Sequence, residues 1–217
     1  MLRRNKTIDS KALRQALDQA RIMGPAASPS VKKACVFLLL FGWRIPRILF
    51  IQKAESRGYA WSNQMALPGG HIDPKDPSPL HTAYRELHEE LNIPENQVDL
   101  LGSMGHFQTI NATDIEVFAG WWNEKGPVRA DPREISKVLE IPLGTLFDIH
   151  HENGFSGEAP DIHDLVYPVD DVRIWGATAR IIHHFIEMVR PFFCPGSRNL
   201  ECGSMGFGNP GFENAAD

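Results

Sequence analysis

Three carboxylates lie close together on a predicted helix. In the segment 85–90 (RELHEE), Glu86, Glu89 and Glu90 are spaced i, i+3 and i+4, so their side chains share one helix face. Like charges at this spacing destabilise a surface helix by about 0.2–0.5 kcal/mol per pair. A hard cation such as Mg²⁺ or Mn²⁺, which prefers carboxylate oxygens, would offset the repulsion. The alternative is a solvated acidic surface on which Arg85 pairs with Glu89.

The flanking sequence predicts how this helix is held. An apolar stripe opposite the carboxylates predicts packing against a sheet, and it consists of Leu80, Ala83, Leu87 and Leu91. The preceding segment 67–70 (LPGG) ends a predicted strand with two glycines, where backbone can come close to a ligand. Asn92 follows the helix at a position that favours the left-handed conformation. A strand, loop and helix unit that joins a backbone carbonyl to the carboxylates is therefore predicted.

These residues resemble the signature of the Nudix hydrolase family. That signature reads Gly, five residues, Glu, seven residues, then Arg-Glu-aliphatic-x-Glu-Glu-x-Gly-aliphatic. The chain has Gly70 and the complete charged core at 85–90, but it has Asp76 for the first Glu, eight intervening residues, and Asn92 for the second Gly. The resemblance covers roughly residues 31–190. It implies an α/β fold, a Nudix α/β/α sandwich with a mixed central sheet and a strand-loop-helix catalytic unit.

The resemblance also implies a metal-dependent pyrophosphohydrolase, in which water attacks one phosphorus of a nucleoside diphosphate linked to another group. The implied ligands of Mg²⁺ or Mn²⁺ are the Gly70 carbonyl, Glu86, Glu89 and Glu90. Glu86 is the first candidate for the base that deprotonates water. Arg85 lies about 100° from Glu86 around the helix, so we expect it to orient Glu89 rather than touch substrate. The alternative is a non-catalytic nucleotide-binding module, although such modules usually lack a ligand carboxylate.

Nudix enzymes often use an additional carboxylate from outside the signature. Glu134 precedes Ile135 and lies in a predicted loop at the entry of a strand, whereas Glu116 lies on a predicted strand. Glu134 is therefore the second candidate for the catalytic base. An exposed surface role is the alternative for it.

Details of the signature are similar to the coenzyme A pyrophosphatase-like branch of the family. The segments 69–76 (GGHIDPKD), 82–86 (TAYRE) and 174–179 (IWGATA) fit that branch. Its upstream motif usually has a His and a Gly-Gln before Pro-Gly-Gly, whereas this chain has Trp61 and Asn63 at the His and Gly positions. The three matching segments make coenzyme A or an acyl-CoA the first substrate expected, and the departures at Trp61 and Asn63 favour a different substrate. The alternative is ADP-ribose or a dinucleoside polyphosphate.

Composition excludes several classes of protein. The 217 residues are 42% hydrophobic and 23% charged, as in an average folded protein, and the net charge is −5. No basic field exists to attract long nucleic acid, and the longest apolar run, 35–41, is too short to cross a bilayer. The three cysteines include no Cys-x-x-Cys pair, which favours a reducing compartment. We therefore expect a cytoplasmic protein with a small-molecule substrate and no membrane partner, and a homodimer is left open.

The order of predicted elements divides the chain into three parts. Residues 1–30 combine a short amphipathic helix with a linker, and residues 31–193 form the Nudix domain. Residues 194–217 are rich in Gly, Asn, Ser and Pro, which predicts a disordered C-terminal tail. Within the domain, strands are predicted at 31–41, 47–53, 64–67, 98–109, 115–123, 136–141 and 165–169, and helices at 78–91 and 177–188.

Overall fold

A seven-stranded mixed sheet forms the centre of the molecule. The computed structural model describes residues 10–19, 22, 24–26, 31–55 and 64–193. The strands of this sheet are β1 (Lys32–Phe41), β2 (Arg47–Lys53), β3 (Met65–Ala66), β4 (Gly69–His71), β5 (Val98–Gln108), β6 (Thr113–Trp122) and β7 (Ile135–Pro142). Strand β1 runs parallel to β6, and the other paired strands are antiparallel. The predicted mixed sheet is therefore confirmed.

Helices cover both faces of the sheet. The described helices are α1 (Ser10–Gln19), α2 (Pro79–Leu91), α3 (Leu143–Glu152) and α4 (Gly176–Phe193). Helix α2 packs on one face, and the other three pack on the opposite face. Between α3 and α4, β8 (Tyr167–Val169) and β9 (Val172–Ile174) form a separate antiparallel hairpin. This arrangement confirms the predicted α/β/α sandwich. Among the described helices, none combines the length and the apolar character needed to cross a membrane.

Alternation along β1 explains why the sheet has two apolar faces. Cys35, Phe37 and Leu39 face α2, whereas Leu38 and Leu40 face the opposite core. All five side chains are fully buried. A strand that is buried on both sides reads as a continuous apolar run. The apolar run of the sequence is therefore the central strand.

The N-terminal helix α1 contributes to the core of the domain. Leu13, Ala16 and Leu17 are buried in the core that also contains α4 residues. On the surface, Arg14 pairs with Asp99 of β5 at 2.6 Å. Helix α1 therefore docks against β5 and α4. The domain boundary at residue 30 and the disordered tail stay predictions, because residues 27–30 and 194–217 lie outside the described part of the chain.

Some elements are absent from the sequence-based prediction. Gly69–His71, which was expected to be a loop, pairs with β1 as strand β4. Helix α3 was not predicted, although Leu143, Leu146 and Phe147 recur at helical spacing and are buried. Gly144 weakens the helical propensity of this segment. Strands β4 and β9 span three residues each, too few for a hydrophobic period to identify them, whereas β8 lies within the strand predicted at 165–169.

A buried polar network ties α3 to α4. His150 is fully buried, and its Nδ1 and Nε2 atoms lie 2.8 Å from the Tyr167 hydroxyl and 3.0 Å from Glu187 Oε1. Glu187 also accepts hydrogen bonds from Arg190, at 2.9 Å, and from the backbone N–H of Gly157. Burial alone would raise the pKa of Glu187, but these hydrogen bonds outweigh burial and lower the pKa to about 2. The ionised carboxylate therefore stabilises the fold.

This network predicts how stability depends on pH. The contribution of Glu187 is fully present above its ordinary pKa of 4.5 and is lost as pH falls through about 2. We expect Glu187→Gln to be less stable than the unchanged protein by about 2–3 kcal/mol above pH 5. The gap should close as pH falls toward 2. Urea unfolding across this pH range measures the difference in unfolding free energy between the variant and the unchanged protein. Glu140→Gln, a substitution on the surface, is the control. A gap that does not change with pH would contradict the stabilising role of ionised Glu187.

Candidate active site

Capping residues define both ends of α2, the helix that carries the Glu triplet. At the N-terminus, the Ser78 hydroxyl accepts a hydrogen bond from the His81 N–H at 3.2 Å, and Pro79 begins the helix. At the C-terminus, Asn92 has φ 56°, and its N–H donates to the His88 carbonyl at 2.9 Å. The left-handed conformation predicted for Asn92 is confirmed. Local sequence therefore determines where the carboxylates lie along the helix.

The glycine pair brings β4 close to both β1 and α2. A side chain on Gly69 would begin 2.2 Å from the Cys35 carbonyl oxygen, and the φ of Gly69 is +145°. A side chain on Gly70 would begin 2.5 Å from the carboxyl carbon of Glu86. Only glycine leaves room for this approach. The predicted meeting of the 67–70 backbone with the carboxylates is therefore present, with the glycines in a strand rather than a loop.

Arg85 links two carboxylates of the triplet. Its Nη2 atom lies 2.9 Å from Glu86 Oε1, and its Nη1 atom donates to Glu89 Oε2 at 2.7 Å. The side chain of Glu86 is 16% exposed and that of Glu89 is 57% exposed. Burial raises the pKa of Glu86, and the charge of Arg85 opposes that effect. The expected contact with Glu89 is present, and the contact with Glu86 is additional, because the long Arg side chain reaches across the angle between adjacent helix positions.

Asp76, at the first acidic position of the signature, holds Arg85 from the other side. Its carboxylate accepts hydrogen bonds from Arg85 Nη2 at 3.1 Å and from Thr82 Oγ1 at 2.7 Å. Hydrogen bonds from Arg85 and Thr82 lower the pKa of Asp76 to about 2. Thr82 is fully buried. Asp76 therefore anchors the guanidinium that contacts Glu86 and Glu89.

Glu90 is buried, although its spacing on the helix groups it with the other carboxylates. It is 1% exposed, its Oε2 accepts from the Gly69 N–H at 2.9 Å, and its Oε1 accepts from the Lys53 ammonium. The apolar stripe opposite the carboxylates predicts that all three point away from the core, and this prediction is wrong for Glu90, because β4 and the end of β2 cover that part of the helix. Sequence reasoning missed Lys53. The alternation of Leu49, Ile51 and Lys53 along β2 indicates that it faces α2.

The candidate carboxylates outside α2 lie in different environments. Glu116 of β6 lies beside Cys35 of β1, which lies beside Gly70 of β4. Burial, followed by the charges of Glu86 and Glu116, raises the pKa of the Cys35 thiol to about 12, so the thiol stays neutral. Glu134 is exposed in the turn before β7. Strand pairing therefore places Glu116, Cys35 and Gly70 side by side on three neighbouring strands. The Glu134 side chain, in contrast, is exposed to solvent.

The donors at Glu86 and Gly70 fit a hard divalent cation. Carboxylate and carbonyl oxygens are the ligands that Mg²⁺ and Mn²⁺ prefer, and the missing side chain of Gly70 leaves its backbone open toward Glu86. Within the described ranges, no three His, Cys, Asp or Glu side chains form a ready-made metal site. Arg85 and Lys53 instead neutralise the carboxylates. A cation would therefore displace part of these ion pairs.

Trp175 and Thr178, of the segment 174–179, lie at the start of α4. Trp175, directly before α4, is 48% exposed. The Thr178 hydroxyl of α4 donates to the Met65 carbonyl at 3.1 Å, which places the start of the helix against β3. Trp61 and Asn63 lie outside the described residues.

Comparison with known proteins assigns the family. The NUDIX domain model matches residues 32–184, a span that begins with β1 and ends within α4. The chain belongs to the Nudix family. This membership confirms the prediction of a Nudix pyrophosphohydrolase. Nudix hydrolases generally require divalent cations such as Mg²⁺ or Mn²⁺.

Relatives cover most of this Nudix hydrolase. A protein of Photorhabdus laumondii, named uncharacterized Nudix hydrolase NudL, is 30% identical over 166 residues, which are 75% of this chain and 88% of the relative. A NudL protein of Yersinia pestis is 28% identical over 165 residues, 75% of this chain and 82% of the relative. The crystal structure of a MutT/nudix family protein from Enterococcus faecalis has a TM-score of 0.51 at 14% identity, covering 84% of this chain and 70% of that one. The structural match supports the fold.

Proposed function

We propose that this Nudix hydrolase cleaves the diphosphate linkage of a nucleoside diphosphate joined to another group, by attack of water on one phosphorus. The observation that carries the proposal is the Glu86 carboxylate packed against the Gly70 backbone and held by Arg85. The carboxylate therefore lies beside the backbone of β4, whose Gly70 carbonyl is the second donor that we propose. Such a donor set can hold a divalent cation beside an anionic diphosphate.

The proposed ligands of Mg²⁺ or Mn²⁺ are the Gly70 carbonyl, Glu86 and Glu89, together with Glu90, the remaining ligand implied by the signature. When bound, the cation would neutralise phosphate oxygens and lower the pKa of a bound water. Glu89 is the most exposed of the three carboxylates, so it can turn toward a cation at little cost. Glu86 is held close to the backbone that would complete the site.

Glu86 is the first candidate for the general base. Its carboxylate lies beside the Gly70 backbone, where the cation and its bound water are proposed to lie. Arg85 holds one of its oxygens, which orients the other. Glu134, exposed in the turn before β7, is the second candidate.

Coenzyme A or an acyl-CoA is the first substrate that we propose. The similarity of the segments 69–76 and 174–179 to the coenzyme A pyrophosphatase-like branch supports this choice. Trp61 and Asn63 depart from the upstream motif of that branch, and they favour ADP-ribose or a dinucleoside polyphosphate as the second candidate.

The two candidates differ in their products. With Mg²⁺ or Mn²⁺ present, we expect coenzyme A to yield 3′,5′-ADP and 4′-phosphopantetheine. Removing the 3′-phosphate should lower kcat/KM by about 10-fold or more, because polar groups that bind it would be left unpaired. Chromatographic product analysis with coenzyme A, dephospho-coenzyme A, ADP-ribose, NADH and dinucleoside polyphosphates measures both effects. Cleavage of ADP-ribose with coenzyme A left intact would contradict coenzyme A as the substrate. It would not contradict hydrolysis of a diphosphate linkage as the reaction.

A nucleotide-binding module without activity is the rival function. It would bind one of these diphosphates and cleave none of them. The same set of substrates distinguishes the two functions, because inertness toward every diphosphate in the presence of either metal contradicts hydrolysis.

A further inference from the structure

A row of residues extends from Gly70 across the face of the sheet that packs on α2. Gly70 of β4 pairs with Cys35 of β1, which pairs with Glu116 of β6. On the next strand, β5, His106 pairs with Glu116. Paired residues of neighbouring strands share a face of the sheet, and three steps of ~4.8 Å place His106 about 14 Å from Gly70. Because the diphosphate is proposed to lie at Gly70, a group attached to it can extend along this row.

Asp114, two positions before Glu116 on β6, holds the His106 ring. Asp114 Oδ2 lies 3.1 Å from His106 Nδ1 and accepts a hydrogen bond from the Ala26 N–H at 3.3 Å. An ionised carboxylate only accepts hydrogen bonds, so Nδ1 carries the proton, and Nε2 of the neutral imidazole is an acceptor. The His106 side chain is 20% exposed. Asp114 therefore fixes both the orientation and the tautomer of an imidazole that a ligand can reach.

The burial of Asp114 has a free-energy cost that its structural contacts do not explain. The residue is 4% exposed, and within the described part of the chain its Oδ1 is a buried oxygen without a hydrogen-bond partner. An unpaired buried acceptor destabilises the folded state. Proteins keep such local conflicts mainly at functional sites. The hydrogen bond to His106 gives this carboxylate a function, because it sets the chemistry of the imidazole.

Glu116 and His106 present two hydrogen-bond acceptors side by side. As cross-strand partners they have Cβ atoms about 5 Å apart, and both side chains are half-buried. Among the residues that the structure describes, neither the Glu116 carboxylate nor His106 Nε2 has a hydrogen-bond or ion-pair partner. Lys33, exposed beside Asp114 on β1, supplies one positive charge against the two carboxylates. This pair of acceptors therefore fits hydroxyl or amide N–H donors, and the charge of Glu116 repels a phosphate.

We propose that Glu116 and His106 bind the uncharged group attached to the diphosphate through its hydroxyl or amide N–H groups, and that Asp114 positions His106. The inference rests on the proposed hydrolysis and names the chemistry on one side of the cleaved linkage. In coenzyme A the donors are the hydroxyl and amide N–H groups of the pantetheine arm, and in ADP-ribose they are the hydroxyls of the second ribose. ATP has only phosphate on that side, so it lacks these donors and is repelled by Glu116.

Steady-state kinetics of the full chain with coenzyme A, ADP-ribose and ATP in the presence of Mg²⁺ test this assignment. ATP is followed as a substrate and, where it is not cleaved, as a competitive inhibitor. Glu116→Lys is expected to raise KM about 10-fold or more for the substrate that the unchanged enzyme cleaves best, because a donor replaces an acceptor. The same change should strengthen ATP binding about 10-fold, because Lys attracts phosphate.

The substrates separate the two sources of these donors. A loss with coenzyme A alone identifies the pantetheine arm as the bound group, and a loss with ADP-ribose alone identifies the ribose. Equal changes with all three compounds, or no change, would overturn the proposal. An unchanged enzyme that prefers ATP or a dinucleoside polyphosphate would also overturn it, whereas inertness toward every diphosphate would contradict the proposed hydrolysis itself.

The positioning role of Asp114 is tested by the tautomer of His106, which does not depend on activity. Nitrogen NMR of the imidazole, assigned with His106→Phe, is expected to show the proton on Nδ1 in the neutral ring of the unchanged protein and a mixture of tautomers in Asp114→Leu. Asp114→Leu should raise KM about 10-fold, and the double variant should be no worse than His106→Phe alone. A proton on Nε2 in the unchanged protein, or additive losses in the double variant, would overturn this role.

The same substitution at Asp99 is the matched control. Asp99 of β5 pairs with Arg14 on the surface, and Asp99→Leu should leave KM unchanged. Thermal unfolding should show Asp114→Leu to be about as stable as the unchanged protein, because the variant removes the unpaired buried oxygen. If Asp114→Leu does not fold, the tautomer in the unchanged protein and the KM of His106→Phe decide the question. An unchanged KM in His106→Phe would overturn the proposal.

Discussion

Replacing Glu86 by Gln is expected to lower kcat by about 10³-fold or more, which is about 4 kcal/mol of activation free energy, with the fold retained. Gln has the shape of Glu but lacks the charge that both cation binding and proton acceptance require. The Glu86 carboxylate lies against the Gly70 backbone and is bonded to Arg85, so no other carboxylate occupies the same position. The loss should appear in kcat, because the proton is transferred in the transition state.

Steady-state kinetics with any diphosphate that the unchanged enzyme cleaves will measure this effect, and thermal unfolding will show whether the fold is kept. His88→Gln provides the control, because His88 is exposed on the same helix. It should leave kcat close to that of the unchanged enzyme. Near-normal turnover of Glu86→Gln would exclude Glu86 as the base and would move the role to Glu134.

The second large effect is expected from Gly69→Ala, which should cost about 4 kcal/mol or more of unfolding free energy or prevent folding. The new methyl carbon would lie 2.2 Å from the Cys35 carbonyl oxygen and 2.6 Å from Val36 Cα. Both are backbone atoms of the central strand, so they cannot move aside as the end of a side chain can. The φ of +145° is a further strain for any residue with a side chain.

Gly154→Ala separates the two causes of this effect. Gly154 has φ +70°, and a side chain there would meet nothing within 4 Å. Its substitution should therefore cost only the strain of a positive φ, about 1–2 kcal/mol. Urea unfolding of both variants gives the two free energies. Equal losses would contradict the steric clash between β4 and β1.

The charged helix was predictable because its determinants are local. The spacing of the Glu triplet, the apolar stripe and the left-handed Asn92 each depend on residues within one or two turns of the helix. The central strand was predictable for a similar reason, since a strand buried on both faces has a continuous apolar sequence. The similarity of the signature to the Nudix family then linked these elements to one fold, and the family match confirmed it.

The surroundings of each carboxylate were not predictable from spacing. Glu86, Glu89 and Glu90 look equivalent in the sequence, yet their exposure differs because β4 and the end of β2 cover only part of the helix. Lys53 is distant in sequence from Glu90 and meets it only after the sheet has assembled. The neighbours of Glu116 likewise follow from the pairing of β6 with β1.

The sequence by itself determined the helix, its left-handed end at Asn92, the central strand and the family signature, because residue periodicity and backbone preferences act over a few positions. Only the tertiary structure decided which carboxylates are buried, which cations neutralise them, and that the glycine pair lies in a strand. These features depend on contacts between residues far apart in the chain. Strand register and the close approach of backbones set such contacts, and neither leaves a repeating pattern in the sequence.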